Sequence, residues 1–130
     1  MYTELIKKAI KARENAYAPY SEFKVGAALL CKDGKIYTGC NIENISYGAT
    51  NCAERTAIFK AVSEGEYEFE AIAIVGGKDK LELTSPCGMC RQVMSEFCDS
   101  DFKIILADDV NQKEYLLEEL LPLSFDNIKN

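Results

Sequence analysis

The chain has 130 residues, of which 48 % are hydrophobic and 28 % are charged, enough to bury the core of one compact domain. A net charge of −6 disfavours a nucleic-acid partner, because such partners are generally bound through clustered Lys and Arg. No apolar run approaches the roughly twenty residues needed to cross a bilayer, and the N-terminus does not resemble a signal peptide. We therefore predict one domain over residues 1–130, located in the cytoplasm and without a membrane partner.

The N-terminal half of the chain predicts a helix, a two-stranded hairpin and a second helix. Residues 3–17 carry apolar side chains at helical spacing, with Thr3 as the N-cap. Residues 23–31 and 35–42 predict strands on either side of KDGK, whose Asp-Gly pair is a strong hairpin signal. A polar loop containing glycine then leads to a helix over residues 52–64, which a glycine follows.

The C-terminal half alternates strands and helices. Residues 69–77 predict a buried strand, residues 88–97 a helix, and residues 102–108 and 113–117 two further strands. Only DVNQ separates the last two strands, which is too short for a parallel crossover, so they should be antiparallel. The tail LEELLPLSF predicts a short helix that stops before its proline. The order α-β-β-α-β-α-β-β predicts the α/β class, with a five-stranded mixed sheet sandwiched between helices.

The six cysteines need an explanation, because disulfides rarely persist in the cytoplasm. Cys87 and Cys90 stand three apart at a predicted helix start, where they share a face and the helix dipole favours thiolate. This pair alone fits a metal site, a redox pair or two buried thiols. Cys52, at another helix start, adds a third ligand, and three protein ligands with one open position describe a catalytic zinc. For the other thiols we expect burial, namely Cys31, Cys40 and Cys98.

Glu54 stands two residues after Cys52, in the first turn of the same predicted helix. Residues two apart point to nearly opposite sides of a continuous helix, so these side chains converge only if both extend ahead of its first turn. By itself, an acidic residue in a first turn would simply complement the helix dipole. In the company of Cys87 and Cys90, Glu54 is predicted to be a general acid/base beside the metal.

The CAE of residues 52–54 and the PCGMC of residues 86–90 resemble the signature of the zinc-dependent nucleoside and nucleobase deaminases. The segments YAPYSEFKVGAAL, GCNIENISYG, NCAERTAIFKAVSEG, SPCGMCRQVMSEF and ELLPLSF look like those of cytidine deaminases of the small homotetrameric kind, and they span most of the chain. Many deaminases have histidine where this chain has Cys52, and cysteine there is usual in the small tetrameric kind. The resemblance implies a three-layer α/β/α cytidine-deaminase-like fold.

The resemblance also implies a function: hydrolysis of cytidine and deoxycytidine to uridine and deoxyuridine, with release of ammonia, in pyrimidine salvage. A homotetramer with one Zn²⁺ per subunit and sites shared between subunits is implied with it. Zinc would be bound by Cys52, Cys87 and Cys90, and Glu54 would move protons between water and the base. The implied substrate-binding residues are Phe23 beside the base, Phe125 of a neighbouring subunit over the base, the Ala53 backbone at O2, Asn41 and Glu43 at the ribose 3′-hydroxyl, and Tyr47.

Arg55 lies three residues after Cys52 and therefore on the same helix face. Three thiolates would leave a zinc centre with net negative charge, and a guanidinium donating to a ligating sulfur would offset that charge. The alternative is a surface arginine in a weak ion pair. Because CAER also resembles the tetrameric family, we predict the contact with sulfur.

Three other interpretations stay open from the sequence. A related deaminase could act on another cytosine-bearing small molecule, such as a nucleoside antibiotic. A thiol redox module built on CGMC would leave Cys52 and Glu54 without a role, and it predicts a titratable disulfide without metal. A structural zinc module that binds a macromolecule predicts a fourth protein ligand.

Overall fold

The chain is organised around a five-stranded sheet covered by helices. The computed structural model describes residues 2–126. Its strands are β1 (Lys24–Cys31), β2 (Ile36–Cys40), β3 (Phe69–Gly77), β4 (Lys103–Ala107) and β5 (Gln112–Leu116). Its helices are α1 (Thr3–Arg13), α2 (Ala53–Ser63), α3 (Gly88–Phe97) and α4 (Leu117–Leu120), with a 3₁₀ turn at Tyr47–Ala49. No helix within the described residues is long and apolar enough to pass through a bilayer.

The sheet has the order β2-β1-β3-β4-β5, with β3 and β4 parallel and the other neighbours antiparallel. In the predicted hairpin between β1 and β2, Gly34 adopts a φ of 95°, which favours glycine. The parallel pair is connected through α3, whereas the short link between β4 and β5 gives antiparallel pairing. The predicted mixed sheet between helices is therefore confirmed.

Alternation along β3 divides the core into two layers. Ala73 packs on one face of the sheet in a cluster with Leu5 of α1. Its neighbour Ile72 points to the opposite face, in a cluster with Ala57 of α2 and Met94 of α3. Because α2 and α3 share this second face, the two helix starts that carry the cysteine motifs lie on the same side of the sheet.

Gly39 determines how closely α2 lies on β2. A Cβ at this position would fall 2.5 Å from the backbone nitrogen of Ala57 and 2.6 Å from the carbonyl oxygen of Ala53. Such an approach is possible only for glycine unless the helix moves. The first turn of α2, which contains Glu54, is therefore held directly against the sheet.

The predicted extent of the first helix is wrong, because α1 ends at Arg13 rather than at residue 17. Tyr17 instead forms a parallel β-bridge with Ile42, and its backbone amide donates to the Asn41 carbonyl at 3.0 Å. A pairing with a segment so distant in sequence overrides the local helical pattern. The bounds of the other helices over residues 52–64 and 88–97, and of all five strands, agree with the prediction to within two residues.

The prediction that Thr3 caps this helix is also wrong. The N-cap is Tyr2, and no side chain supplies a capping hydrogen bond there. The Tyr2 carbonyl accepts the amide of Ile6 at 3.0 Å, which opens the helix one residue earlier than expected. Because Tyr2 is only 7 % exposed, packing of its ring against the core fixes the helix start without a hydroxyl cap.

Candidate active site

The three cysteines of the CAE and PCGMC motifs meet at the starts of two helices. Cys52 and Cys87 are the N-caps of α2 and α3, and Cys90 lies in the first turn of α3. The Cys87 sulfur lies 3.7 Å from that of Cys52 and 3.5 Å from that of Cys90. A tetrahedral ion with metal–sulfur bonds of about 2.3 Å would separate its ligands by about 3.8 Å. The spacing and the softness of these donors therefore fit zinc.

The number of ligands distinguishes a catalytic from a structural metal site. Within residues 2–126, no fourth Cys, Asp or Glu joins this group, and the chain contains no histidine. Three protein ligands leave one coordination position for water or substrate, as in catalytic zinc sites. All six cysteines lie within the described residues, and none of them forms a disulfide there.

The remaining cysteines lie outside the three-thiol group. Cys31 is buried in β1 at 1 % exposure, as expected. Cys40 and Cys98 are only half-buried, so complete burial was too strong an expectation for them. Burial nevertheless raises the pKa of Cys98 to about 12, which keeps that thiol protonated and unreactive.

Glu54 and Cys52 reach the same cavity although they are two residues apart. Cys52 has an extended backbone, with φ of −77° and ψ of 157°, so its side chain does not follow the helical spacing that begins at Ala53. Glu54 is 4 % exposed, and burial, reinforced by the nearby Cys52 thiolate, raises the pKa of its carboxyl to about 7. A carboxyl that exchanges protons near neutral pH is suited to general acid/base catalysis.

Arg55 contacts the sulfur group from the side. Its Nη2 donates to the Cys52 sulfur at 3.3 Å. A hydrogen bond from the Cys90 thiol, followed by that from Arg55, lowers the pKa of Cys52 to about 5. Arg55 thus places a positive charge beside the Cys52 thiolate, which would also bind the metal ion.

We expect Arg55→Gln to retain zinc but to lower kcat by about 10–100-fold, the usual effect of losing a partner of a metal ligand. The Arg55 charge lowers the pKa of Glu54. Its removal should therefore raise that pKa and move the acidic limb of the kcat–pH profile to higher pH. Arg55→Lys, which keeps the charge, is the matched control. A downward or absent shift in Arg55→Gln, with zinc fully bound, would contradict this role.

Two cavities share Ser21 and Thr50 in their walls, and the inner one adjoins the sulfur group. The inner cavity, of about 330 Å³, is lined by Phe23, Asn41 and Ala53 together with Cys52, Glu54 and Cys87. The outer cavity, of about 390 Å³, is lined by Glu43 and Tyr47. Both volumes lie in the range of small-molecule sites, roughly 300–1,000 Å³.

Asn41 and Glu43 hold the loop that precedes β1. The Asn41 side chain accepts from the Val25 amide and donates to the Phe23 carbonyl, both at 2.9 Å. The Glu43 carboxylate accepts the Ser21 amide at 3.1 Å and also the Ser21 hydroxyl. These residues therefore shape the wall that bears Phe23, whereas contacts with a ribose remain a prediction.

Phe125 lies apart from the other candidate residues of this chain. Its ring is 70 % exposed and borders a groove at the end of α3, outside both cavities. Its carbonyl accepts a hydrogen bond from Gln92 Nε2 at 3.0 Å.

Several cavity residues were not found by sequence reasoning. Ser21 and Thr50 line both cavities, and Thr84 and Ser85 line the inner one. Each is a common polar residue in a loop, without a spacing that indicates chemistry. The only available signal was position, because Ser21 belongs to YAPYS and Thr50 lies just before the CAE motif.

Comparison with known proteins agrees with this geometry. The family described as "Cytidine and deoxycytidylate deaminase zinc-binding region" matches residues 1–106. A cytidine deaminase of Halalkalibacterium halodurans is 57 % identical over 122 residues, covering 93 % of this chain and 91 % of its own. The solved structure of a cytidine deaminase from Burkholderia pseudomallei superposes with a TM-score of 0.89 at 48 % identity, covering 96 % of this chain and 99 % of its own.

A more distant relative acts on a different compound. A blasticidin-S deaminase of Bacillus cereus is 37 % identical over 109 residues, covering 78 % of this chain and 76 % of its own. The cytidine deaminases of Halalkalibacterium halodurans and Sporosarcina psychrophila have higher identity, 57 % and 53 %, over 93 % and 94 % of this chain. From its fold, its sulfur group and these matches, the chain belongs to the cytidine and deoxycytidylate deaminase family.

Proposed function

We propose that this protein is a zinc-dependent hydrolase that deaminates cytidine and deoxycytidine to uridine and deoxyuridine, releasing ammonia. The observation that carries the proposal is a group of three thiols, two of which, Cys52 and Cys87, line one cavity together with the buried Glu54. The named activity of the cytidine deaminases of Halalkalibacterium halodurans and Burkholderia pseudomallei supports a cytosine nucleoside as substrate.

The chemistry depends on proton transfer by Glu54. Zinc, when held by Cys52, Cys87 and Cys90, would supply a Lewis acid that lowers the pKa of a water molecule. Glu54 takes one proton from water and delivers it to N3 of the base as the water oxygen bonds to C4. The bond between C4 and the amino nitrogen then breaks, and Glu54 carries the second proton to the departing amine. One water is consumed, ammonia leaves, and Glu54 returns to its starting protonation state.

The two cavities suit the two parts of a nucleoside. We infer that the base occupies the inner cavity, beside Phe23, with O2 at the amide of Ala53, which begins α2 and so has no intrahelical partner for its N–H. The sugar would occupy the outer cavity, near Glu43 and Tyr47. The Ser21 hydroxyl lowers the pKa of Glu43, so its carboxylate is charged. Among the described residues no Lys or Arg lines either cavity, which favours a nucleoside over a nucleotide.

We infer that the enzyme is a homotetramer with shared sites, as its family resemblance implies. Tyr47, Ile45 and Phe125 are 79 %, 80 % and 70 % exposed, so their apolar side chains are free to contact neighbouring subunits. In this arrangement Phe125 of one subunit covers the base bound by its neighbour.

Phe125→Ala is then expected to raise KM for cytidine about tenfold or more, since stacking of a base on an aromatic ring contributes about 1–3 kcal/mol. Steady-state kinetics with cytidine measures the effect, and activity should fall more steeply on dilution than in the wild type. Val110→Ala is the control, because Val110 is also a highly exposed apolar residue, at 86 %, on the β4–β5 turn. A fully active monomer with unchanged KM would refute the shared site.

The proposed reaction is tested by ammonia release from cytidine, using protein whose zinc content has been measured. Cytidine monophosphate and blasticidin S serve as comparison substrates. Turnover of cytidine that depends on zinc supports the proposal. Preference for either comparison substrate, or full turnover after zinc is removed, would contradict it.

A cytoplasmic location is inferred from the cysteines. All six thiols are free, including the partly exposed sulfur group that a metal would use. Thiolates of this kind persist as ligands where the surroundings are reducing.

A further inference from the structure

The chain that follows α4, described here as the segment of residues 121–126, is attached to α3 at two points. At its root, Arg91 donates from Nη1 to the carbonyl of Leu120 and from Nε to the carbonyl of Pro86, each at 2.8 Å. Near its end, Gln92 Nε2 donates to the carbonyl of Phe125 at 3.0 Å. Two consecutive residues of one helix therefore fix where this segment starts and where it presents Phe125.

Within the described residues, burial holds this segment at its start, where Leu121 packs against the core and its amide donates to the Leu117 carbonyl at 2.9 Å. Leu123 adopts a φ of 53°, which is unfavourable for a residue with a Cβ, and its side chain is completely exposed. The Phe125 ring is also mostly exposed, and the local bonds between Ser124 and Asp126 lie within the segment itself. Beyond Leu121, the hydrogen bond from Gln92, rather than burial of large side chains, therefore opposes relaxation of this strained turn.

We propose that Gln92 is a positioning residue for Phe125: it holds the backbone of Phe125 on α3 so that the ring is presented to the neighbouring subunit. This inference rests on the shared site proposed above. Gln92 bonds the carbonyl of Phe125 and leaves its ring free, which is the arrangement that a ring acting outside its own chain requires.

Helix α3 would therefore contribute to two sites, the one in its own subunit and the one in the neighbouring subunit. Its start provides Cys87 and Cys90 to the sulfur group of its own subunit. Its next residues, Arg91 and Gln92, hold the segment that would complete the neighbour's site. A subunit in which α3 is correctly placed therefore also presents Phe125 correctly.

The test compares Gln92→Met, which keeps the length of the side chain but removes its donor, with Phe125→Ala and with the double variant. Loss of one neutral hydrogen bond should raise KM for cytidine about fivefold, with kcat, zinc content and thermal unfolding close to wild type. Combined with Phe125→Ala, the Gln92 substitution should add nothing further to KM. Ser95→Ala is the control, because it removes the other acceptor of Gln92 Nε2 and leaves the bond to Phe125.

A second measurement reports how firmly residue 125 is held, independently of activity. The chain contains no tryptophan, so Phe125→Trp introduces a single indole at this position. Adding Gln92→Met should lower the fluorescence anisotropy of that indole, whereas adding Ser95→Ala should not. If Phe125→Ala raises KM but Gln92→Met changes neither KM nor anisotropy, the positioning role is overturned and the shared site stands. If Phe125→Ala leaves KM unchanged, the shared site fails and this inference falls with it.

Discussion

Glu54→Gln is expected to lower kcat for cytidine by at least about 10²–10⁴-fold while the fold and the bound zinc remain. The amide has the shape of the carboxyl but cannot take up and release a proton, and the proposed reaction needs Glu54 for two transfers. The effect should fall on kcat, because the substrate would still fit the same inner cavity. Zinc analysis and steady-state kinetics on one preparation measure both quantities.

A matched control lies at the other end of the same helix. Glu64 is the C-cap residue of α2, and its carboxylate accepts a long hydrogen bond, 3.4 Å, from the Tyr37 hydroxyl. Glu64→Gln removes the same charge outside the cavity and should leave kcat near wild type. If Glu54→Gln instead loses its zinc, Glu54 is a ligand, and the role of proton carrier is wrong.

The sequence was most informative where local signals determine structure. The bounds of β3 and α3 were predicted to the residue, because an unbroken apolar run marks the strand and Pro86 with Cys87 marks the start of the helix. The prediction failed at Tyr17, whose bridge to Ile42 depends on a partner far along the chain. Local periodicity contains no information about such a partner.

In the site, too, features set by local sequence could be predicted, and features set by distant contacts could not. The thiols and Glu54 could be singled out because their spacing in CAE and PCGMC is itself a chemical pattern. The loop contacts of Asn41 could not, since its two hydrogen bonds join it to backbone groups 16 and 18 residues away. The contact of Gln92 could not be predicted either, because its acceptor, the Phe125 carbonyl, lies 33 residues later in the chain. Residues that bear chemistry have a recognisable type, whereas residues that position them are recognised only by their contacts.

The exposure of the ligands decides which thiol gives the cleaner test of the metal site. Cys90 is completely buried among core residues, so truncating it would leave a cavity and destabilise the fold whether or not a metal binds. Cys87 is exposed, and its loss removes a ligand with little effect on packing. A stability change in a Cys87 variant therefore reports on the metal.

Cys87→Ala is expected to release zinc, abolish most turnover and lower the melting temperature. The ion would join the starts of α2 and α3, so its binding free energy stabilises the native state. With free zinc at a thousand times its Kd, this linkage contributes about 4 kcal/mol, which corresponds to a shift on the order of 10 °C for a domain of this size. Cys40→Ala is the control, because it removes a half-buried thiol outside the sulfur group and should retain zinc and activity. Calorimetry with metal analysis distinguishes the two. Normal zinc content and full activity in Cys87→Ala would remove this cysteine from the site.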